Sequence, residues 1–555
     1  MKMWQREPQL LSALDQAVPH ILASQKDNGQ YGTEPWISTD QNALLALAAA
    51  WSLPDSTHYQ SESVLRSIER GGLAIRDAQD ASGMVLFQKK DYSTWGQIYM
   101  PWVYSRWVRT FALVGEAMDG AVRSEWERAL LLGYEGIARG ELQRMHNIPA
   151  HHAMGLYCAG QVFAREEWCR QARDFLHQVA DAQAPDGWWA EHEGPVVAYN
   201  LVYVDSLGIY YALSGDEQVL DAIDRASRYH AACVYPDGAL LETIDGRNPY
   251  HAGVRLGNAG FCHTPAGRGF LAQQHALFLQ NGGAFDADYA ALMLLYGTDG
   301  EQVDTAASQR QNTYRMSDDA LIRRHAPWYY CLSAFTAPLT PNRFGQDRQN
   351  FFSVYHDDVG LVCGGGNTKL QPLWSSFSVG DTALLYHAPG DEDPDFSARA
   401  GLQHIPDSAS LRDGTLHLRY GQAECSVALH IQDESTMEIE LSTSGQAGDA
   451  VVAHLTLMAH LGEALDSDVG HCAGLGEEAL DWPNVEWIGH AGWHLSLPPG
   501  AQLYWPVMPH NPYRKDGAAS VDEARLVVVL PFATDVRTHR IALRVGTQGR
   551  SPFSP

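Results

Sequence analysis

Basic residues are scarce in this chain: 39 lysines and arginines stand against 66 aspartates and glutamates, a formal net charge of −27. A surface of that sign repels polyanions at long range, so nucleic acid and heavily sulfated glycans are not expected as partners. A short anionic sugar held by a local cluster of arginines remains compatible. Long apolar runs are missing too; none reaches the roughly 20 residues that a bilayer span needs, so no membrane is expected. The eight cysteines (Cys158, Cys169, Cys233, Cys262, Cys331, Cys363, Cys425, Cys472) are widely spaced with no CxxC pair. That spacing argues against a disulfide framework or a zinc ribbon and fits reduced thiols in the cytoplasm. The opening MKMWQREPQLLSALDQAV mixes charge into its apolar residues and has no small-residue cleavage site, so no secretory leader is expected. HxH and HExxH spacings, a Walker loop and a dinucleotide fingerprint are also lacking, and GLVCGGGN (360–367) lies between strand-like runs with no helix behind it. No cofactor is expected on these grounds, with a Ca²⁺ or Zn²⁺ ion as the alternative left open.

What is present is helix, then strand. Up to about residue 305 apolar residues recur at the 3.6-residue period in TDQNALLALAAAWSL, MPWVYSRWVRTFALVGEAM, SEWERALLLGYEGIARGEL, AHHAMGLYCAGQVF, WCRQARDFLHQVADAQ, VLDAIDRASRYHAACV and FDADYAALMLLYG, and strand signals are nearly absent. The same punctuation recurs between them: Asn28-Gly29, Ser82-Gly83, Asp186-Gly187 and Asp237-Gly238, each followed by aromatic, apolar or acidic residues. Spacings of 54 (28 to 82) and 51 (186 to 237) match one helical hairpin plus a turn. The turns are expected along one rim of an (α/α) toroid, an incomplete or six-hairpin barrel.

After Arg315 the pattern becomes short runs with period-two alternation, such as WYYCLSAF, GTLHLRYGQAECSVALHIQD, STMEIELSTS and ARLVVVLPF, separated by Gly, Pro, Asp and Asn. These predict an antiparallel β-sandwich. The boundary falls within 300–318, giving a toroid domain over 1–310 and a sandwich domain over 311–555.

Proton-handling side chains concentrate in HNIPAHH (146–152) and DGWWAEHEGPVVAYNLVYVDSLGIYY (186–211), stretches that otherwise read as buried helix. Removal of a proton next to a carboxylate needs a group that neutralises the carboxylate, a base, and an acid for the departing oxygen. Asn147 can hydrogen-bond the carboxylate, His151 or His152 can neutralise or act as base, and Tyr199 or Tyr203 can exchange a proton with the reacting oxygen. The two histidines are about 100° apart on a helix, so only one is expected to face a cavity. Tyr199 and Tyr203, at i and i+4, share a face. A further cluster, Glu242-Thr-Ile-Asp245-Gly246-Arg247-Asn248-Pro249-Tyr250-His251, offers Arg247 as a two-point clamp for a sugar acid, Asn248 beside it, and Tyr250 and His251 as acid and base. Arg255, His263, Arg343 and Arg348 are further candidates for this group. Glu193, in front of a helix start, and the rim aromatics Trp36, Trp95, Trp102, Trp188 and Trp189 complete the expected binding set.

Asp186-Gly187-Trp-Trp-Ala-Glu-His-Glu193-Gly194-Pro195 with Tyr199 resembles the DG-x-W-x-EG-x-x-x-Y segment of the heparinase II/III-type and oligoalginate lyase group of polysaccharide lyases, and the run from Asn147 to His152 resembles that group's Asn-His motif. The strands opening with Asp318 to Arg323, then WYYCLSAF and FFSVYHDDVGLVCGGGN, resemble the start of its sandwich. The run from Pro341 to Arg348 lacks the histidines those families carry at the corresponding place. The resemblance implies β-elimination on a uronic-acid glycan, with Asn147, His151 or His152, and Tyr199 in the reacting roles. The rival reading is a glycoside hydrolase working through two carboxylates among Glu191, Glu193, Asp205, Glu242 and Asp245; a non-catalytic glycan-binding protein is a second. The expected partner is an acidic oligosaccharide or polysaccharide, and self-association is left open.

Overall fold

A computed structural model describes residues 2–191, 193–387, 390, 394–444, 450–533 and 535–546. The chain divides into two compact units. The first takes residues up to Trp189, then Tyr199–His230 and Leu256–Thr305; the second takes Ala190–Ala198, Ala231–Arg255 and the chain from Ala306 onward. The last α-helix ends at Tyr296, and the strands of the second unit's sheets begin at Gln311. Two segments expected in the first domain, 190–198 and 231–255, nevertheless belong to the second.

Eleven α-helices are found among the described residues: α1 (Gln9–Ser24), α2 (Ala43–Ser52), α3 (Glu62–Ala78), α4 (Pro101–Val114), α5 (Gly120–Gly140), α6 (Asn147–Val162), α7 (Glu166–Asp181), α8 (Val197–Ser214), α9 (Leu220–Ala232), α10 (Pro265–Gln280) and α11 (Ala287–Tyr296). Their sequences sort them into layers. In α2 every residue from 44 to 50 is buried, and α6 buries eleven of its 16 residues, so both are covered all round. By contrast α7 buries one stripe, Trp168, Ala172, Phe175, Leu176, Val179 and Ala180. Leu45 of α2, Met154 of α6, Ile209 of α8 and Leu292 of α11 meet in one buried cluster that Leu113 of α4 joins. These five helices form the inner layer, backed by α1, α3, α5 and α7.

Of the helices absent from the expected set, α1, α3 and α10, the last two carry pairs of glycines that depress helix propensity. Packing requires them: a Cβ on Gly72 would lie 1.8 Å from the Trp126 ring, and one on Gly269 would lie 1.9 Å from the Val303 carbonyl oxygen. Short strands also occur in this unit, a hairpin of Val85–Gln88 with Thr94–Ile98, and Lys2–Trp4 paired with Gly300–Gln302, which ties the unit's first residues to its last.

The four recurring turns have one construction. The N–H of Lys26, Asp80, Ala184 and Tyr235 donates to the carbonyl four residues on, and the glycine N–H (Gly29, Gly83, Gly187, Gly238) donates back, all at 2.8–3.0 Å. Each glycine sits at φ between +83° and +89°, the left-handed region that glycine enters without strain. In three turns a glutamine four residues before the glycine reaches across to the helix after next: the side-chain amides of Gln25, Gln79 and Gln183 donate to the carbonyls of Ser67 in α3, Ala129 in α5 and Ala222 in α9 at 2.8–2.9 Å.

The second unit holds two antiparallel sheets. One runs, in spatial order, Leu480–Pro483, Gln502–Val507, Arg525–Pro531, Val451–Met458, Gly360–Cys363, Phe352–His356, Trp328–Ser333, Ala320–His325 and Gln311–Met316, with Phe377–Gly380 also on Val451–Met458. The other runs from Ser408–Arg412 through Thr415–Tyr420, Ala423–Ile431, Thr436–Thr443, Thr538–Val545, Trp493–Ser496 and Trp487–His490 to Leu465–Ser467 and His471–Cys472. Val354, Leu455, Leu526 and Val528 of the first pack against Leu418, Val427, Ile439 and Ile541 of the second in one core. Burial alternates in Thr436–Thr443 as expected for a half-exposed sheet, whereas Trp328–Ser333 and Phe352–His356 are buried on both faces. The second cover is the 231–255 segment: Tyr235 stacks on Tyr355 with ring centroids 5.3 Å apart, and Thr243 donates to Ser353 at 2.7 Å. All eight cysteines are free. No helix among the described residues is long and apolar enough to cross a membrane.

Candidate active site

Neighbouring inner helices run parallel. α6 meets α8 through His151 and Asp205, Tyr157 and Tyr210, and Gln161 and Leu213, pairs that advance along both helices together. Ser105 and Phe111 of α4 meet His151 and Phe163 in the same sense, as Arg106 and Arg109 of α4 meet Asp288 and Tyr296 of α11. The N-terminal ends of α4, α6, α8 and α11 therefore lie at one end of the helical unit. Asn147 is the first residue of α6 and Tyr199 lies in the first turn of α8, so the register carries both to that end, and both are half-buried there. Four aligned helix dipoles add positive potential at this end, which offsets locally the chain's overall negative charge.

One turn further in, the helices enclose charge. Arg106 holds Asp288 in a two-pronged pair, Nε to Oδ1 at 2.7 Å and Nη2 to Oδ2. Arg109 donates from Nε to the Ser105 carbonyl at 2.8 Å and lies over the Tyr296 ring. His151 shares a hydrogen bond with Ser105 Oγ at 2.8 Å, rests edge-on against Trp102, and puts Nδ1 3.7 Å from Asp205 Oδ2. Burial, helped by Arg106 and Arg109, pushes the His151 imidazole well below the usual histidine range, so it is neutral at pH 7. Burial lifts the Asp205 carboxyl, and Arg109 and Arg106 oppose that rise.

Both histidines are inside, against the expectation that one would face a cavity: His151 is 1% and His152 2% exposed. The reason is the inner position of α6, whose faces are covered by α4, α5 and α7 as well as α8. Burial pushes His152 down to about 3. Neither ring serves as a cation or as a solvent-facing base. Tyr203 is also interior, stacked on Trp189 at 4.9 Å, and Trp189 is held by Asn200, whose side chain accepts from its N–H at 2.6 Å and donates to its carbonyl at 3.0 Å. Trp189 is thus a core residue and not a rim platform. Trp188 is half-buried, Glu193 is exposed, and Trp95, on the hairpin, is 52% exposed with Phe87 against its ring. His192, between the two glutamates, lies outside the described residues.

In the second unit the 242–251 loop is fastened by its acids. Glu242, buried, accepts from Gly365 N–H at 2.9 Å and from the Tyr235 hydroxyl at 2.8 Å. Gly364, Gly365 and Gly366 all have φ near +100° or above, and a Cβ on Gly366 would lie 2.8 Å from Pro249. Asp245, also buried, accepts from the N–H groups of Arg247 and Asn248 through Oδ1, at 2.8 and 2.7 Å, and from Val197 N–H through Oδ2 at 2.8 Å. Asn248 also turns its side-chain amide to Asp245. Arg247 lies over the Phe344 ring at 5.1 Å. Arg343 donates to the Arg514 carbonyl. Tyr250 is half-buried, and its hydroxyl donates to Asp237 at 3.4 Å; burial with Asp237 and Glu242 nearby holds the phenol above its ordinary value, which disfavours a base role. His251 is exposed.

Sequence reasoning missed Arg106, Arg109 and Asp288. Their signal was two arginines three residues apart on the otherwise apolar helix PWVYSRWVRTFALV. Among the described residues no group of His, Cys, Asp or Glu could hold a metal ion.

No family model matches the chain and no curated protein does. Solved structures do. The xanthan lyase of Paenibacillus superposes with a TM-score of 0.56 at 12% identity, over 97% of this chain and 57% of that one. The chondroitin AC lyase of Streptomyces coelicolor, in complex with chondroitin sulphate, gives 0.56 at 13% identity, over 98% and 80%. Heparinase III gives 0.52 at 11%, over 98% and 86%. This is the toroid-and-sandwich fold of polysaccharide lyases. The chain spans little more than half the length of the xanthan lyase, and at such identities the lyase fold is shared as backbone architecture; the assignment of residues rests on this chain's own geometry.

Proposed function

We propose that the protein is a lyase that cleaves a uronic-acid-containing oligosaccharide or polysaccharide by β-elimination. The reaction breaks the C–H bond next to the carboxylate and the C–O bond one carbon away, leaves a C=C bond, and sends the proton to the departing oxygen. Asn147 hydrogen-bonds the substrate carboxylate, easing the charge that builds as the proton leaves. Tyr199, acting as the phenolate, takes that proton to become the phenol and then returns it to the leaving oxygen. His151, neutral and buried one turn behind Asn147, supports the helix that presents it. Arg247 is the two-point donor for a sugar acid, and Trp95 offers an exposed ring for stacking on a sugar face. Six buried free thiols suit a reducing compartment, and the reading includes a cytoplasmic location.

The observation that carries this reading is the placement of Asn147 and Tyr199 at the same end of two parallel inner helices, in a chain with the lyase fold. Hydrolysis requires two available carboxyl groups. Glu242 and Asp245 already accept from buried donors, Glu191 is buried, and Asp205 sits against His151. Glu193 alone of the five candidates is exposed. Incubation with a panel of uronate-containing glycans tests the proposal: products with a new ultraviolet-absorbing unsaturated end are expected, and cleavage that yields only products with a water added overturns it.

A further inference from the structure

We propose that Asp245, with Arg348, is a positioning joint that sets the start of the tyrosine-bearing helix and the arginine loop in one fixed relation. This rests on the functional reading above.

Three segments distant in sequence are laced together here. Asp245 Oδ2 accepts from Val197 N–H, the first residue of α8, two positions before Tyr199, while Oδ1 accepts from the N–H groups of Arg247 and Asn248. Gly246 N–H donates to the Pro195 carbonyl at 3.1 Å. Arg348, 3% exposed, donates to the carbonyls of Ile244 at 2.6 Å and Pro195 at 3.4 Å. Its guanidinium passes between two glycines: a Cβ on Gly194 or Gly246 would lie 2.8 or 2.7 Å from Arg348 Nη2. Asn367 closes the joint from below, donating to the Asp245 carbonyl at 3.3 Å. Asp245 is 2% exposed, with both oxygens already accepting backbone N–H groups, so it has no means of touching substrate. Its effect on turnover passes through Tyr199 and Arg247. A carboxylate with one oxygen on each strand of chain is the smallest group that can do this, because an amide has one acceptor oxygen and alanine has none.

The test combines hydrogen exchange by mass spectrometry with steady-state elimination on a cleaved glycan, for wild type, Asp245→Ala and Asp245→Asn. In Asp245→Ala, exchange is expected to rise on the order of tenfold or more in both 195–199 and 246–251, with one backbone hydrogen bond lost at Val197 and two in the loop, at Arg247 and Asn248. The value of kcat should fall on the order of 10²-fold with KM nearly unchanged, the pattern of a misplaced reacting group. Asp245→Asn should loosen only one of the two segments and recover part of kcat, and it carries the test by itself if the alanine variant does not fold. Protection retained in both segments in either variant overturns the joint, and so does loosening of both with kcat intact. Absence of elimination by the wild type would refute the functional reading instead, while the exchange result still decides the joint.

Discussion

The inner helices and the 242–251 loop hold their ionisable groups in opposite ways. Beneath the N-terminal ends of the inner helices charge answers charge, Arg106 against Asp288 and Arg109 close to Asp205. In the strand unit Glu242 and Asp245 are answered by backbone N–H groups and a tyrosine hydroxyl. Charge pairs leave the backbone free to adjust. A carboxylate that accepts from two segments of main chain fixes their relation, and such acids occur where two loops must keep one geometry.

Cutting each kind once sharpens the contrast. Glu242→Ala strands the Gly365 N–H and the Tyr235 hydroxyl inside the unit, and a loss of about 3–5 kcal/mol is expected in urea denaturation. Arg106→Ala leaves Asp288, whose side chain is 36% exposed, able to turn to water, and should cost only about 1–2 kcal/mol. Equal losses would break the distinction.

A third mode of burial is a histidine kept neutral with no partner. His230 has neither ring nitrogen hydrogen-bonded, packs against Phe261 and Phe270, and is pushed by burial down to about 3. Its unfolded value lies near 6.5, so its contribution is whole above that pH and is lost as the pH falls, because the unfolded chain takes up the proton first. His230→Leu should therefore lose stability less steeply than wild type between about pH 6 and pH 4, by up to about 1.4 kcal/mol per pH unit. Parallel curves would contradict the burial argument.

Much of the fold was legible because inner helices such as ALLALAAAWS are apolar all round and outer ones such as α7 carry one stripe. The glycine-paired α3 and α10 were not, since the reason for Gly72 is a tryptophan on α5, far off in sequence. Nor was the allotment of 190–198 and 231–255 to the strand unit, which depends on contacts such as Asp245 with Val197 that no local pattern announces. That Asn147 and Tyr199 share one end of the helical unit follows from the register of α6 on α8, which only the packing reveals. The burial of His151 and His152 depended on how many helices surround α6. One signal went unread: the turn glycines stand at 29, 83, 187 and 238, and the gap of 104 between the second and third is twice 52. The repeat skips one turn where α5 passes to α6, and there the chain opens a helix on Asn147. A departure from a repeat is where function is to be sought.

The most direct measurement sets Tyr199→Phe against Glu193→Gln on one cleaved uronate glycan, following both rate and the unsaturated product end. A phenol that moves the proton predicts a fall on the order of 10²–10⁴-fold in Tyr199→Phe, near-wild-type turnover in Glu193→Gln, and unsaturated ends from every active form. An unchanged Tyr199→Phe beside an inactive Glu193→Gln, with water added to the products, would contradict the elimination account and favour a carboxylate-driven hydrolysis.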